Sequence, residues 1–445
     1  MRNIVLLSIL WAAPLLLGAQ EKRWTMNDCM RYAIDNSPAV RRQAYTYDTY
    51  KAEHTASVAS FFPTLNTGVS AQYNFGRAVD PETNTYTNTT TFNNYYEGYA
   101  SLPLFRGGQL VNQWKLAKTN RQMGLNDIRK AQDDLALNTM EAFVNVVYYH
   151  GTVRFAGEKL EESRLTLHKT QRQEELGLKG KADVALIEAQ VAADDYTLTH
   201  QQNLHQTALL KLKEYMNFPY EQALEVDTTL TETDYLYAAE SIDDIYGYAK
   251  ETNPTALQAA YLLRASQTQH LIQKGRLFPS ISLSGGIYTS YYENLKAETM
   301  PEAFRSQFKN NRGEYLSINF SFPLFDGLER LSAVRRARNN VRIAREQQTE
   351  TLRQLQTAIE QSVADREGYA KESIQMEKKL RADSLAYQVT RRKFEEGLMS
   401  PLDLQTSANT LIESKANLLQ RRLMYLLKCK QVDYYKGEEL IVNSE

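Results

Sequence analysis

The side chains of this sequence that could do chemistry are few, and the most suggestive of them sit at turns. Asp183 ends the stretch Gly177-Leu178-Lys179-Gly180-Lys181-Ala182-Asp183, and Asp403 ends Gly397-Leu398-Met399-Ser400-Pro401-Leu402-Asp403. Ser400, Pro401 and Asp403 have the types of an N-cap, a first helical residue and an N3 acid, and Gly180 heads the other stretch in the same frame. A carboxylate placed there satisfies orphan backbone N–H groups and complements the positive end of a helix. Repeated around a symmetry axis, the same acids would ring a narrow mouth and favour cations. Capping alone and capping combined with gating both fit these residues.

Nothing else has the spacing of a reaction centre. The sequence contains no G-x-S-x-G, no H-E-x-x-H and no phosphate-cradling glycine loop. Its six histidines, His54, His150, His168, His200, His205 and His270, show no i,i+3 or i,i+4 pairing, and no C-x-x-C accompanies them. Cys29 and Cys429 allow at most one disulfide and read more simply as unpaired packing residues. We therefore expect no enzyme, no cofactor and no metal. With 52 Lys and Arg against 53 Asp and Glu, no global charge draws the chain to nucleic acid.

The elements that position the turns begin behind an export signal. Met1-Arg2-Asn3 precedes an almost unbroken apolar run, Ile4 to Leu17, and then Gly18-Ala19-Gln20. This predicts a signal peptide over residues 1–19; the run of 14 residues is shorter than the ~20 that a spanning helix needs. A mean hydropathy of −0.52 and no later run of that kind leave a periplasmic protein or a β-barrel.

The remainder is written twice. Asn36-Ser37-Pro38 recurs as Asn253-Pro254, matched on its proline, and Phe62-Pro63 as Phe278-Pro279, both at an offset of 216. Pro103-Leu104-Phe105 with Gly107 recurs as Pro323-Leu324-Phe325 with Gly327, and Gly177-Leu178 and Asp183 recur as Gly397-Leu398 and Asp403, all at 220. Two structural repeats, residues 20–222 and 223–445, are predicted, each running helix, two strands, long helix, sharp tip, returning helix.

Alternation marks the strands. Leu65, Val69, Ala71, Tyr73 and Phe75 fall on one face and Asn66, Ser70, Gln72 and Asn74 on the other. Ile281, Leu283, Ile287 and Tyr291 alternate with serines, and Leu316, Ile318, Phe320 and Phe322 with Ser317, Asn319 and Ser321. The predicted strands are about 63–76, 92–105, 279–292 and 314–325, with polar loops Arg77 to Thr91 and Glu293 to Gly313. Helices are predicted over about 39–62, 107–217, 255–278 and 327–431, and the 70-residue stretches from Gly107 and from Gly327 contain no proline. Asn217 to Asp244 and the C-terminus read as a mixed belt.

Four strands cannot close a barrel, and an open sheet edge facing hydrocarbon would leave N–H and C=O groups costing several kcal/mol each. Three copies would supply a twelve-stranded barrel continued by a hollow helical cylinder. The fold class expected is an internally duplicated α+β membrane protein of that trimeric build. A stand-alone diffusion porin would explain the strands without the long helices, and a periplasmic structural coiled coil the helices without the strands.

The order of these motifs, Phe-Pro before each first strand, Pro-Leu-Phe-x-Gly after each second and Gly-Leu-x-x-x-x-Asp at each tip, resembles the TolC outer-membrane efflux family over the whole mature chain. The resemblance implies a homotrimeric exit channel in the outer membrane of a Gram-negative bacterium, extending into the periplasm. It serves an inner-membrane pump of RND or ABC type through a periplasmic adaptor, the membrane fusion protein, and meets outer-membrane lipid and no nucleic acid. By the same resemblance Gly177, Leu178, Gly397 and Leu398 are adaptor-contact residues, and Asp183 and Asp403 entrance residues. The chain departs from the family pattern at Phe394, Met399 and Thr406, where better-studied channels carry a tyrosine, an arginine and an aspartate, so the closure of its entrance must be built from other groups.

Overall fold

The computed structural model describes residues 23–79, 84–229, 241–297 and 301–441; the predicted signal peptide, 1–19, and part of the predicted belt, 230–240, lie outside them. Helices α1 (Met26–Asn36) and α2 (Pro38–Ala59) lead into strands β1 (Thr64–Val79) and β2 (Tyr86–Arg106), then helices α3 (Gln109–Glu175) and α4 (Lys181–Met216). The same order follows in α5 (Ile242–Thr252), α6 (Pro254–Gly275), β3 (Ser280–Asn294), β4 (Gly313–Ser321), α8 (Glu329–Glu395) and α9 (Pro401–Lys436), with one addition, the short α7 (Phe304–Asn310). The repeats match closely: α3 and α8 have 67 residues each and α4 and α9 have 36 each. A helix of that greater length runs about 100 Å.

The elements differ from the expected ranges where local chemistry intervenes. β2 starts at Tyr86, because Thr87 to Thr91 is polar but rich in β-branched residues that suit a strand. β4 ends at Ser321, ahead of Pro323, which has no N–H for a ladder. The long helices begin after Gly107-Gly108 and after Gly327-Leu328, all four at positive φ. α7 occupies what read as the loop Glu293 to Gly313, with Phe304 and Phe308 one helical turn apart.

The chain divides into two units. One, Ala39–Ala131 with Tyr246–Ala358, holds a single antiparallel sheet in the order β1-β2-β3-β4. Register places Leu65 opposite Ala100, Ala100 opposite Gly285 and Gly285 opposite Leu316, so these share a face with Val69, Tyr73, Phe75, Leu283, Ile318 and Phe320. The other face carries Asn66, Ser70, Ser101, Ser284, Ser317 and Asn319. Leu65 is 82% exposed, Phe75 80% and Leu316 77%. An apolar face this bare is stable only against hydrocarbon or other protein, while the serine and asparagine face suits water. β1 and β4 are both edges.

The other unit holds α4, α9 and the outer parts of the long helices, Gln132–Ile245 and Ile359–Glu445, with the segment to Pro38. Its core is Met30, Met140, Val146, Leu212 and Met216, joined by Leu423 and Leu427. Trp24 pairs with Val226 in an isolated parallel bridge and stacks edge-on against Tyr32 and Phe218 at 5.3 and 5.6 Å, the described part of the belt. Cys29 is buried here, and neither it nor Cys429 forms a disulfide.

One glycine pair separates the repeats energetically. A Cβ on Gly107, at φ +58, would lie 2.1 Å from the Gly275 carbonyl oxygen, whereas one on Gly327, at φ +67, meets nothing within 4 Å. Gly327→Ala should cost about 1 kcal/mol of backbone strain. Gly107→Ala should add a backbone clash to that strain and sharply reduce heat-resistant oligomer in unheated gels; equal loss from both variants would contradict the packing.

Candidate functional site at the helix tips

Both long helices stop by the same device. Gly177 and Gly397 take left-handed φ of 72° and 79°, which glycine adopts without penalty. Leu178 N–H donates to the Gln173 carbonyl and Gly177 N–H to that of Glu174, both at 2.8 Å; Leu398 donates to Lys393 at 2.8 Å and Gly397 to Phe394 at 3.0 Å. This double bond pattern closes the last turn and turns the chain outward. It leaves Leu178 and Leu398 bare, at 70% and 71% exposure.

The returning helices start on the predicted caps. Ser400 N–H donates to Asp403 Oδ2 at 3.1 Å, Ser400 Oγ donates to the same oxygen at 2.7 Å, and Asp403 N–H donates to Ser400 Oγ at 3.2 Å. Those bonds from the Ser400 hydroxyl and then its backbone hold the Asp403 carboxyl below the usual carboxylate range. Gly180 has no hydroxyl, and there only its N–H reaches Asp183, at 3.2 Å. Asp403 is exposed and Asp183 half-buried, and both cap their helices, so the local geometry accounts for their placement without a second role.

Behind each tip lies a polar cluster whose residues, distant in sequence, form no contiguous motif. Lys159 Nζ pairs with Asp194 at 2.7 Å, and Ser163 Oγ and Gln190 Nε2 donate to the same buried carboxylate. In the second repeat Lys379 Nζ lies 2.7 Å from Asp383 and 2.6 Å from Ser414 Oγ, which donates to Asp383 at 2.5 Å. At the offset of 220 that relates the repeats, lysine matches lysine, but Ser163 matches Asp383 and Asp194 matches Ser414. The acid and the hydroxyl have exchanged helices, so each long helix is tied to its returning helix at the same height by the same three groups. An identity search passes over the pair because the residues trade places.

Separate contacts join the two long helices. Lys169 binds Glu395 at 2.9 Å, and Arg391 binds Glu162 at 3.1 Å. Tyr387, in the second repeat, is pushed above the usual phenol range by burial and by its bond to Glu162. Lys169 in turn draws Glu395 below its ordinary value. Tyr387, Phe394 and Leu404 are buried together with Met399 against them, and Lys179 Nζ sits 5.2 Å over the Phe394 ring. Phe394 and Met399 are thus apolar packing groups, and Thr406 donates its hydroxyl to the Leu402 carbonyl at 2.9 Å, inside its own helix.

Breaking a buried ion pair costs on the order of 3–5 kcal/mol. Asp194→Ser should therefore lower the melting temperature of the assembled protein by several degrees, and Ser163→Asp with Asp194→Ser should restore it by recreating the second repeat's arrangement. Failure of the double variant to recover would refute the equivalence of the clusters. Asp383 is held low by Lys379 and then Ser414, so its contribution is present above the unfolded aspartate value near ~3.9 and is lost as pH falls through the depressed folded value. Asp383→Asn should remove that part of the acid sensitivity from melts recorded between about pH 2 and 6.

A family model described as outer membrane efflux protein matches residues 30–217 and again 245–432, one match to each repeat. The outer membrane protein TolC of Salmonella enteritidis is 23% identical over 418 residues, covering 90% of this chain and 79% of that protein. The CmeC outer membrane channel of Campylobacter jejuni superposes with a TM-score of 0.80 at 15% identity over 93% of this chain and 85% of that one. The outer membrane protein VceC of Vibrio cholerae does so at 0.78 and 14% identity over 93% and 96%. Duplicated helices, an open-edged sheet and a double family match agree: the chain belongs to the outer membrane efflux protein family and has that family's trimeric build, a shared β-barrel continued by helices.

Proposed function

We propose that this chain is one protomer of a passive outer-membrane exit duct, opened at its helix tips by a periplasmic adaptor and supplied by an inner-membrane pump. The observation that carries the reading is the sheet. One face is bare and apolar, the other is lined by serine and asparagine, and neither edge has a neighbouring strand among the described residues. Such a sheet is a segment of a wall between hydrocarbon and water. Energy comes from the pump, of RND or ABC type, and the duct's own work is a conformational switch.

The tips are where that switch acts. Gly177, Leu178, Gly397 and Leu398 form turns with exposed apolar ends, a surface suited to a partner's helix hairpin. Asp183 and Asp403, three-fold repeated, would place up to six carboxylates at the mouth and favour cations. Within each repeat the lysine, serine and aspartate clusters bind long helix to returning helix, so a hairpin moves as one body. Between repeats the half-exposed pairs Lys169–Glu395 and Arg391–Glu162 are the cheaper contacts to break. Opening then slides one hairpin against the other, a shift of rigid elements that adaptor contact would bias.

Asp183→Asn with Asp403→Asn should reduce cation selectivity in planar-bilayer conductance, and unchanged selectivity would remove the acids from the entrance. Leu398→Asp with Leu178→Asp should impair export at unaltered levels of trimer in the membrane. Loss of trimer instead would assign these leucines to folding.

A further inference from the structure

β3 outruns its neighbour. β4 pairs with β3 only from Ser280 to Tyr288, while β3 continues to Asn294. Along that continuation α7 takes the place of a strand. Tyr292 N–H donates to Gln307 Oε1 at 3.0 Å, and Gln307 Nε2 donates to the Tyr292 carbonyl at 2.9 Å, so one side-chain amide reproduces the reciprocal pair of an antiparallel rung. Asn311 Nδ2 donates to the Ser290 carbonyl at 2.9 Å, and Thr289 Oγ1 donates to the Phe308 carbonyl at 2.7 Å. Gln307 is 8% exposed, an unusual burial for a glutamine on a seven-residue helix.

The helix also has a side. Tyr96 and Tyr291 stand on the apolar face of the sheet by register, and the rings of Phe308 and Phe304 lie 5.3 Å from them respectively. Phe304 and Phe308 keep 45% and 42% of their surface exposed. α7 is therefore an amphipathic edge piece, closed toward β3 by its amide and open on its aromatic side.

We propose that α7 is a strand surrogate at the seam between protomers, docking the outer part of β1, residues 73–79, of a second copy of this chain. The occupant follows from strand lengths, and the inference rests on the shared barrel. β1 has 16 residues and β4 has nine, so when β4 of one protomer pairs with β1 of the next, β1 runs on past the end of its strand partner. What it meets there, continuing the same edge, is α7. Tyr73 and Phe75 are exposed on the apolar face, at 57% and 80%, and offer rings to Phe304 and Phe308. Aromatic pairs across such a seam add packing where the ladder has ended.

The test uses the full chain in outer membranes, with p-benzoylphenylalanine replacing Phe308. Irradiation should give a covalent dimer on denaturing gels, with the adduct mapped by mass spectrometry to residues 73–79 of the second chain. Gln307→Leu in the same background should cut that yield several-fold while trimer persists on unheated gels. Adducts confined to lipid or to the chain's own strands, in a sample that is trimeric, would overturn the seam assignment. No trimer on the unheated gel would overturn the shared barrel, and the seam with it.

Discussion

The constraint that shapes this protein is that a strand edge cannot face hydrocarbon. Each backbone N–H and C=O left without a partner there costs several kcal/mol, far more than a single side-chain contact returns. A sheet of four antiparallel strands with an apolar outer face has two such edges, β1 and β4, and no further strand among the described residues to close them. Closure by sister chains is the solution the family's build supplies. The same logic acts within the chain, where the end of β3 left uncovered by the shorter β4 is met by α7 and its Gln307 amide.

Duplication supplies the second organising fact. Each repeat makes a pair of strands and a pair of long helices, and its turn is fixed by a glycine stop and a capped restart. The stops are local to each tip, and near them the two long helices are joined by the half-exposed ion pairs Lys169–Glu395 and Arg391–Glu162. In the proposed opening, the lysine, serine and aspartate clusters keep each long helix with its returning helix. Their exchanged acid and hydroxyl show that the chemistry of the tie is kept although its residues have been traded across the hairpin.

The sequence revealed most of this where a residue type has one physical use. Gly177, Gly397, Ser400 and Pro401 announce helix ends because few other residues fit a left-handed stop or an N-cap. The alternation from Leu65 and from Leu316 announces a sheet with one wet and one dry face. What stayed hidden needed partners distant in the chain. Asp194 reads as an ordinary helical acid until Lys159 and Ser163 are brought against it. The helix at Phe304 was hidden in a polar stretch because its reason for forming is the uncovered edge of β3. Phe394 and Met399 stand out as departures from the family pattern, and in the structure they are buried or half-buried with Tyr387 and Leu404 as apolar packing groups. Asp183 and Asp403 were legible as caps, and their further role at an entrance depends on three-fold symmetry that a single chain does not display.

The most direct measurement is the mass of the particle extracted from outer membranes in mild detergent, by native mass spectrometry. The account predicts three copies of the mature chain, released only on denaturation. A water-soluble monomer, with the apolar face of its sheet covered by its own residues, would contradict it.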